Sequence, residues 1–467
     1  MYRNLVPRKW AVRFPRVPRR TGDMRSPGIR FEPYGEVSRP SNERCEVRVS
    51  QLSRSRPRES ARAWAEAFGA VAAAVAAMVV TAALGLWAAG ADDLPSGAFP
   101  GVLAATVVAG VGGTVELTGG AGAFGRTGAT LAVVPLSVTL SGALAAAAAL
   151  LLPLRHGPAP DGRELLARAA RTAVLWVLAL LPFALTAHHT FRISLGDSLL
   201  DELGDALGVQ PEAGFRTDVP ATLARGLLWL VVLYVVIVLA ARRTPLPPPL
   251  RRVQEAVRPP VRAVVGLLLG YVLLGLVVGV VTLITRGHSA ETAAVLLLGL
   301  PNLAWMALGV GLGGAWDGRV PDSIGLPVPH ALAAVLREPG GGSATVDLAS
   351  LGRYDDRAWV LVVVAALALA ATGFLMARRF PAPWWRQAVR LAPALAVALV
   401  AAGLLTRISA RYGLSLIGLG ELDAFGGEVR LRPRLPLLLG LGALWGLVAG
   451  ALGGVLARVS PERRRIR

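Results

Sequence analysis

Leu437-Leu-Leu-Gly-Leu-Gly-Ala-Leu-Trp-Gly-Leu-Val-Ala-Gly-Ala-Leu-Gly-Gly-Val-Leu-Ala457 is a run of 21 residues without one charged side chain. As a helix rising 1.5 Å per residue it spans the roughly 30 Å of a bilayer core. A helix apolar on every face is buried in a large protein or lies in a membrane. Gly69–Ala89, Ala129–Leu154, Gly226–Ala241 and Ala263–Thr285 read the same way. Thr172–Ala187, Thr292–Ala315, Ala358–Ala377 and Leu391–Thr406 are similar and partly shorter. So many apolar runs, with so little polar sequence to cover them, predict an all-α integral membrane protein.

Composition agrees. Mean hydropathy is +0.54, and only 17% of the 467 residues are charged. The single cysteine, Cys45, excludes an internal disulfide and any multi-Cys zinc site. The net charge of +19 is uneven. Residues 1–62 hold 16 Lys or Arg against 6 Asp or Glu. They are rich in Pro and Ser and lack apolar periodicity, which predicts a disordered basic tail. That tail either binds anionic headgroups or reflects an upstream start codon. Most other arginines lie between apolar runs, as expected for helices flanked by positive charge on the cytoplasmic side. No nucleic-acid-binding motif accompanies them.

Charge also bears on topology. Ten full transmembrane helices leave slightly more arginine outside than inside, against the positive-inside rule. If Phe99–Val115 and Thr292–Ala315 instead enter and leave on the outer side, the inner loops 155–171, 242–262 and 378–390 hold 14 Arg in 51 residues. The outer loops then hold 14 in 137. Pro100, a dense set of glycines and Pro301-Asn302 permit such broken elements. The expected arrangement is eight crossings and two broken or re-entrant elements, with both termini cytoplasmic in the plasma membrane. Ten full crossings is the alternative.

The two broken elements occupy matching places in two halves. Pro220-x-x-Leu-x-x-Gly226-x-Leu-Trp229 recurs as Pro436-x-x-Leu-x-x-Gly442-x-Leu-Trp445. Gly112-Gly113 recurs as Gly313-Gly314, Gly125-Arg126 as Gly352-Arg353, and Arg192-Ile-Ser194 as Arg407-Ile-Ser409. These matches predict two parallel repeats, 63–241 and 263–458, joined by the Pro/Arg linker 242–262 and followed by a basic tail, 459–467. Parallel repeats would set the two broken elements across a pseudo-two-fold axis at the protein centre. Gly442, Gly446, Gly450 and Gly454 recur every four residues, and Gly266/Gly270 share that spacing, which lets helix backbones approach closely.

Chemistry is sparse. No ionisable residue occupies the centre of a full crossing, which argues against charge-coupled transport. Polar groups gather at the broken elements: Thr114, Glu116, Thr118 and Arg126 at the first, Asn302, Asp317 and Arg319 at the second. Thr114, Glu116, Thr118, Asn302 and Asp317 are therefore the substrate-path candidates, with solvated loop residues and a helix-break cap as the plain alternatives. Adjacent His188-His189 makes a poor metal pair. No catalytic motif occurs, so neither enzyme, metal nor cofactor is expected. The lipid bilayer is the one partner implied. Two functions fit: a pore or facilitator for a small neutral solute, or a non-transporting scaffold or partner subunit acting through its outer loops.

Several stretches resemble the streptophobe family of very hydrophobic actinobacterial membrane proteins. They are Ala83-Leu-Gly-Leu-Trp-Ala-Ala-Gly90, Gly112-Gly-Thr-Val-Glu-Leu117, Pro135-Leu-Ser-Val-Thr-Leu140, Gly299-Leu-Pro-Asn-Leu303, Trp316-Asp-Gly-Arg319, Arg411-Tyr-Gly-Leu-Ser415 and Leu444-Trp-Gly-Leu447. The likeness runs from about Trp64 to Arg458. It implies a multi-pass membrane protein and brings no activity, substrate or catalytic residue.

Overall fold

The computed structural model describes residues 43–93, 97–121, 126–156, 162–192, 211–241, 248–285, 289–319, 344–416 and 420–459. The chain divides into two compact units, Met1–Arg58 and Glu59–Arg467. The second is described below. The expectation of a disordered tail at 1–62 falls mostly outside the described residues, as does that for 459–467.

Five helices and four strands form the first half: α1 (Glu43–Ala88), α2 (Ala98–Gly110), β1 (Val115–Ala121), β2 (Arg126–Ala132), α3 (Leu136–His156), α4 (Gly162–Thr186), β3 (His189–Arg192), β4 (Pro211–Thr217) and α5 (Val219–Ala240). The second half follows the same plan with one short helix added: α6 (Pro248–Thr285), α7 (Ser289–Gly311), β5 (Trp316–Arg319), β6 (Ala344–Val346), α8 (Leu348–Tyr354), α9 (Val360–Arg379), α10 (Trp384–Leu405), β7 (Ile408–Leu416), β8 (Gly420–Pro433) and α11 (Leu435–Val459). Among the described residues, eight helices are long and apolar enough to cross a membrane. This is a multi-pass membrane protein. Ala98–Gly110 and Leu136–Leu151 are the shorter apolar helices, and Ala290–Gly311, expected to be broken, is one continuous helix with Pro301 inside.

Glycine and alanine set how closely the helices pack. A Cβ built on Gly442, Gly446 or Gly450 would lie 2.5–2.6 Å from the Cα of Ala396, Ala392 or Ala388, so α11 lies backbone to backbone on α10. Gly454 meets Trp384 in the same row. Gly266 and Gly270 on α6 face open space. In the first half, Trp176 of α4 is fully buried, stacks on Trp229 of α5 at 4.9 Å between ring centroids, and donates from Nε1 to the Gly226 carbonyl.

Much of the described chain between helices is not loop but strand. The strands form one eight-stranded antiparallel sheet in the order β3-β4-β1-β2-β7-β8-β5-β6. Every strand attaches to the same end of the bundle. At the other end, Glu66 of α1 pairs with Arg168 near the start of α4, at 3.6 Å. There too Arg262 donates to the Ala240 carbonyl, Arg258 lies over the Phe380 ring, and Gly454 near the end of α11 meets Trp384. The start of the membrane part of α1 and the end of α11 thus share the end opposite the sheet.

The seam between halves corrects the expected two-fold axis. A two-fold brings like strands together, whereas here β2 pairs with β7. Likewise α2 packs mainly on α4, while α7 packs on α6 and on α3 of the other half. Two sequence matches also fail. Arg126 lies on strand β2 but Arg353 on helix α8. Arg192 stands opposite Glu212 as Arg411, not Arg407, stands opposite Glu428.

Candidate functional site

Helices α2 and α7 end in the same turn. Gly112 and Gly313 have φ of 87° and 92°, a conformation glycine adopts without steric cost. Behind them, Gly113 N–H donates to the Val108 carbonyl at 2.9 Å and Gly314 N–H to the Gly309 carbonyl at 2.8 Å. This is the six-to-one closure that ends a helix and satisfies one of its free carbonyls. The chain then enters β1 or β5. Two residues on stand the acids: Glu116 opposite Arg216 of β4, and Asp317 opposite Arg432 of β8.

These acids are paired and lie at the surface. Arg216 Nε donates to Glu116 at 3.0 Å, with both side chains largely exposed. Asp317 takes three hydrogen bonds from Arg434, two from Nε at 3.1 Å and one from Nη2 at 2.8 Å, and a longer one from Thr345 at 3.4 Å. The hydrogen bonds to Asp317 hold the Arg434 guanidinium above its ordinary pKa. Exposed pairs of this kind contribute about 0–1 kcal/mol each, so they fix register more than stability. Thr114 accepts from Arg225, which also caps the Gly112 carbonyl. Thr118 stands opposite Gly128 and Gly214 on β1. Its side chain lies outside the described residues.

Asn302 is engaged elsewhere. Its Oδ1 accepts from Leu136 N–H at 3.0 Å, and its Nδ2 donates to the Val134 carbonyl at 2.9 Å. Ser137 donates to the Leu296 carbonyl beside it. Residue 302 therefore caps the first turn of α3 from another helix, 166 residues away. Leu296 meets the start of α3, and Gly311 approaches Leu361 at the start of α9. The intervening stretch, roughly 22 Å of helix, thus joins the starts of two helices that leave the sheet side. The structure does not bring Asn302 to Thr114, nor Glu116 to Asp317. A cavity between α1, α3, α4 and α5 holds about 10 Å³, and Trp176, Trp229 and Leu230 are in its apolar lining. That is room for about one water.

What sequence reasoning passed over is the sheet itself, and it carries the most extended polar surface described. Register makes it amphipathic. One row reads Arg216, Glu116, Thr130, Arg411, Glu428 across five strands. The adjacent row reads Thr217, Val115, Leu131, Ala410, Val429. Farther along, Arg432, Asp317 and Thr345 alternate with Pro433, Trp316 and Val346. Trp316, Leu431 and Val346 are buried in the core cluster with the helices, whereas Arg216, Arg432 and Thr130 are exposed. One face seals the bundle end and the other meets solvent. The signal lay in the period-two alternation of Glu428-Val-Arg-Leu-Arg-Pro433 and Ile408-Ser-Ala-Arg. Comparison of the chain with protein-family models, curated proteins and solved structures yields no match.

Proposed function

We propose that this chain is a tandemly duplicated plasma-membrane scaffold that acts through the polar face of its sheet and transports nothing. The reading has eight crossings, α1, α3, α4, α5, α6, α9, α10 and α11; α7, though long enough to cross, lies with α2 across the outer end, because it joins the starts of α3 and α9 on the sheet side. The sheet is outside and both chain ends are cytoplasmic. Arginine density supports this orientation, since the helix ends that carry Arg168, Arg258, Arg262 and Arg386 lie opposite the sheet. The duplication is supported by equivalent contacts, at an offset of 216 residues except for the glycine turn, where it is 201. Gly226 touches Leu180 as Gly442 touches Ala396, and Gly113 touches Thr222 as Gly314 touches Leu438. The resemblance to the streptophobe family belongs to the same reading.

The observation that carries the scaffold role is how the polar groups are used. Asn302, half-buried, spends both amide atoms on the backbone at and just before the start of α3. The acids and Thr114 are held by arginines at the sheet. A facilitator needs polar groups that are free to exchange with solute along a wet path, while a platform needs an ordered outer surface. Reconstitution separates the two. Proteoliposomes are expected to pass water, glycerol and urea no faster than protein-free vesicles in stopped-flow light scattering. Acceleration of any of the three that is abolished by Asn302→Leu would restore the pore.

A further inference from the structure

We propose that copies of this chain join head to tail in the membrane, β6 of one copy pairing with β3 of the next. This rests on the duplication above and names the partner as a second copy of the same chain. The ground is the strand order. Match the halves as β1 with β5, β2 with β6, β3 with β7 and β4 with β8. The order β3-β4-β1-β2-β7-β8-β5-β6 is then one four-strand order written twice. The seam joins the second strand of one half to the third strand of the other. Such a contact is heterologous and does not consume its own surfaces. Among the described residues, the sheet still ends on a third strand, β3, at one edge and on a second strand, β6, at the other.

The edge residues match the seam. Within the chain, Thr130 stands opposite Arg411 and Leu131 opposite Ala410. Thr345 holds the place of Thr130, because it pairs with Asp317 as Thr130 pairs with Glu116. Arg192 holds the place of Arg411, because each stands opposite a glutamate, Glu212 or Glu428. Carried to the next copy, the register sets Thr345 opposite Arg192, again Thr against Arg. Val346 then stands opposite Phe191. The bilayer limits what the operator can be. Every copy keeps its sheet on one side, so repetition gives a ring or a row in the membrane plane. The edges are short, three residues in β6 and four in β3 against seven in the β2–β7 seam. The contact is accordingly weaker than the seam and depends on protein density in the membrane.

Cysteine cross-linking in native membranes tests this, in a Cys45→Ser background. Directly opposite residues in an antiparallel pair have Cα atoms about 4.5–5.5 Å apart, within disulfide reach. Thr130→Cys with Arg411→Cys should close within the chain and leave a monomer. Thr345→Cys with Arg192→Cys in one chain should give a ladder of dimers, trimers and longer species. Co-expressed Thr345→Cys and Arg192→Cys single variants should stop at a dimer, and neither alone should cross-link. Absence of the ladder while the Thr130/Arg411 pair closes would overturn head-to-tail joining and leave the duplication standing. So would a 345–192 bond within one chain, or equal dimers from either single variant. Failure of the Thr130/Arg411 pair as well would bring down the seam itself, and the duplication reading with it.

Discussion

Replacing Asn302 by leucine keeps the side-chain size and removes both hydrogen bonds to the start of α3. Leu136 is 1% exposed, and its N–H is one of those a helix start leaves without an intrahelical acceptor. Hydrogen bonds within membrane proteins average about 0.6 kcal/mol and reach about 1.7. A buried donor left without any acceptor costs about 1–3 kcal/mol. Taking the upper half of that range for Leu136 N–H and the average for the half-buried Val134 carbonyl gives a loss of about 3 kcal/mol. Asn302→Asp keeps the acceptor for Leu136 and loses the donor, so its effect should fall between Leu and wild type. Unfolding in mixed micelles measures the stability, and hydrogen exchange at the Leu136 amide measures the local opening. A loss below about 0.5 kcal/mol for Asn302→Leu, a change expected at sites without such a feature, together with unchanged exchange at Leu136, would refute the cap.

Gly446→Leu drives a side chain into the Ala392 backbone and should abolish assembly of α10 with α11, whereas Gly270→Leu, with open space around it, should leave the melting temperature in detergent within a degree or two; equal damage from both would deny the packing. Trp176→Phe gives up a satisfied Nε1–H bond while Trp316→Phe gives up a buried N–H that has no partner among the described residues, so the first should cost about 1–2 kcal/mol more than the second, read by denaturant titration. Impermeant maleimide applied to intact cells should label cysteines at Arg216, Arg432 and Glu291 and spare one at Arg386; labelling of Arg386→Cys but not Arg216→Cys would invert the topology, and protection of Glu291→Cys alone would make α7 a true crossing.

The membrane-length helices were legible because the signal is long. Twenty apolar residues such as Leu437–Ala457 leave no competing state. The strands were not, because each is short and the signal shares its residues with another one. Arg430 and Arg432 read first as loop charges that orient a helix, and only their alternation with Val429, Leu431 and Pro433 marks a pleated face. Glycines at 112–113 and 313–314 read as marks of broken membrane elements; they form helix-ending turns, and nothing in them told that a strand follows. Pro301 read as a break, yet α7 runs through it. Asn302 read as a substrate-path candidate, with a local helix-break cap as the plain alternative. It caps a helix distant in sequence, and no single-chain pattern reports that.

The cap has a consequence for synthesis. Leu136 leaves the ribosome 166 residues before Asn302. At about 5–20 residues per second, that interval lasts roughly 8–33 s. Until it ends, α3 is uncapped and the β2 edge is open, because β7 emerges later still. An open edge of this kind accepts a matching strand from any neighbour, including a nascent chain on the same polysome. Faithful assembly therefore depends on tethering. The second half must reach the first before a stranger does, and the length of the connecting chain acts as the clock.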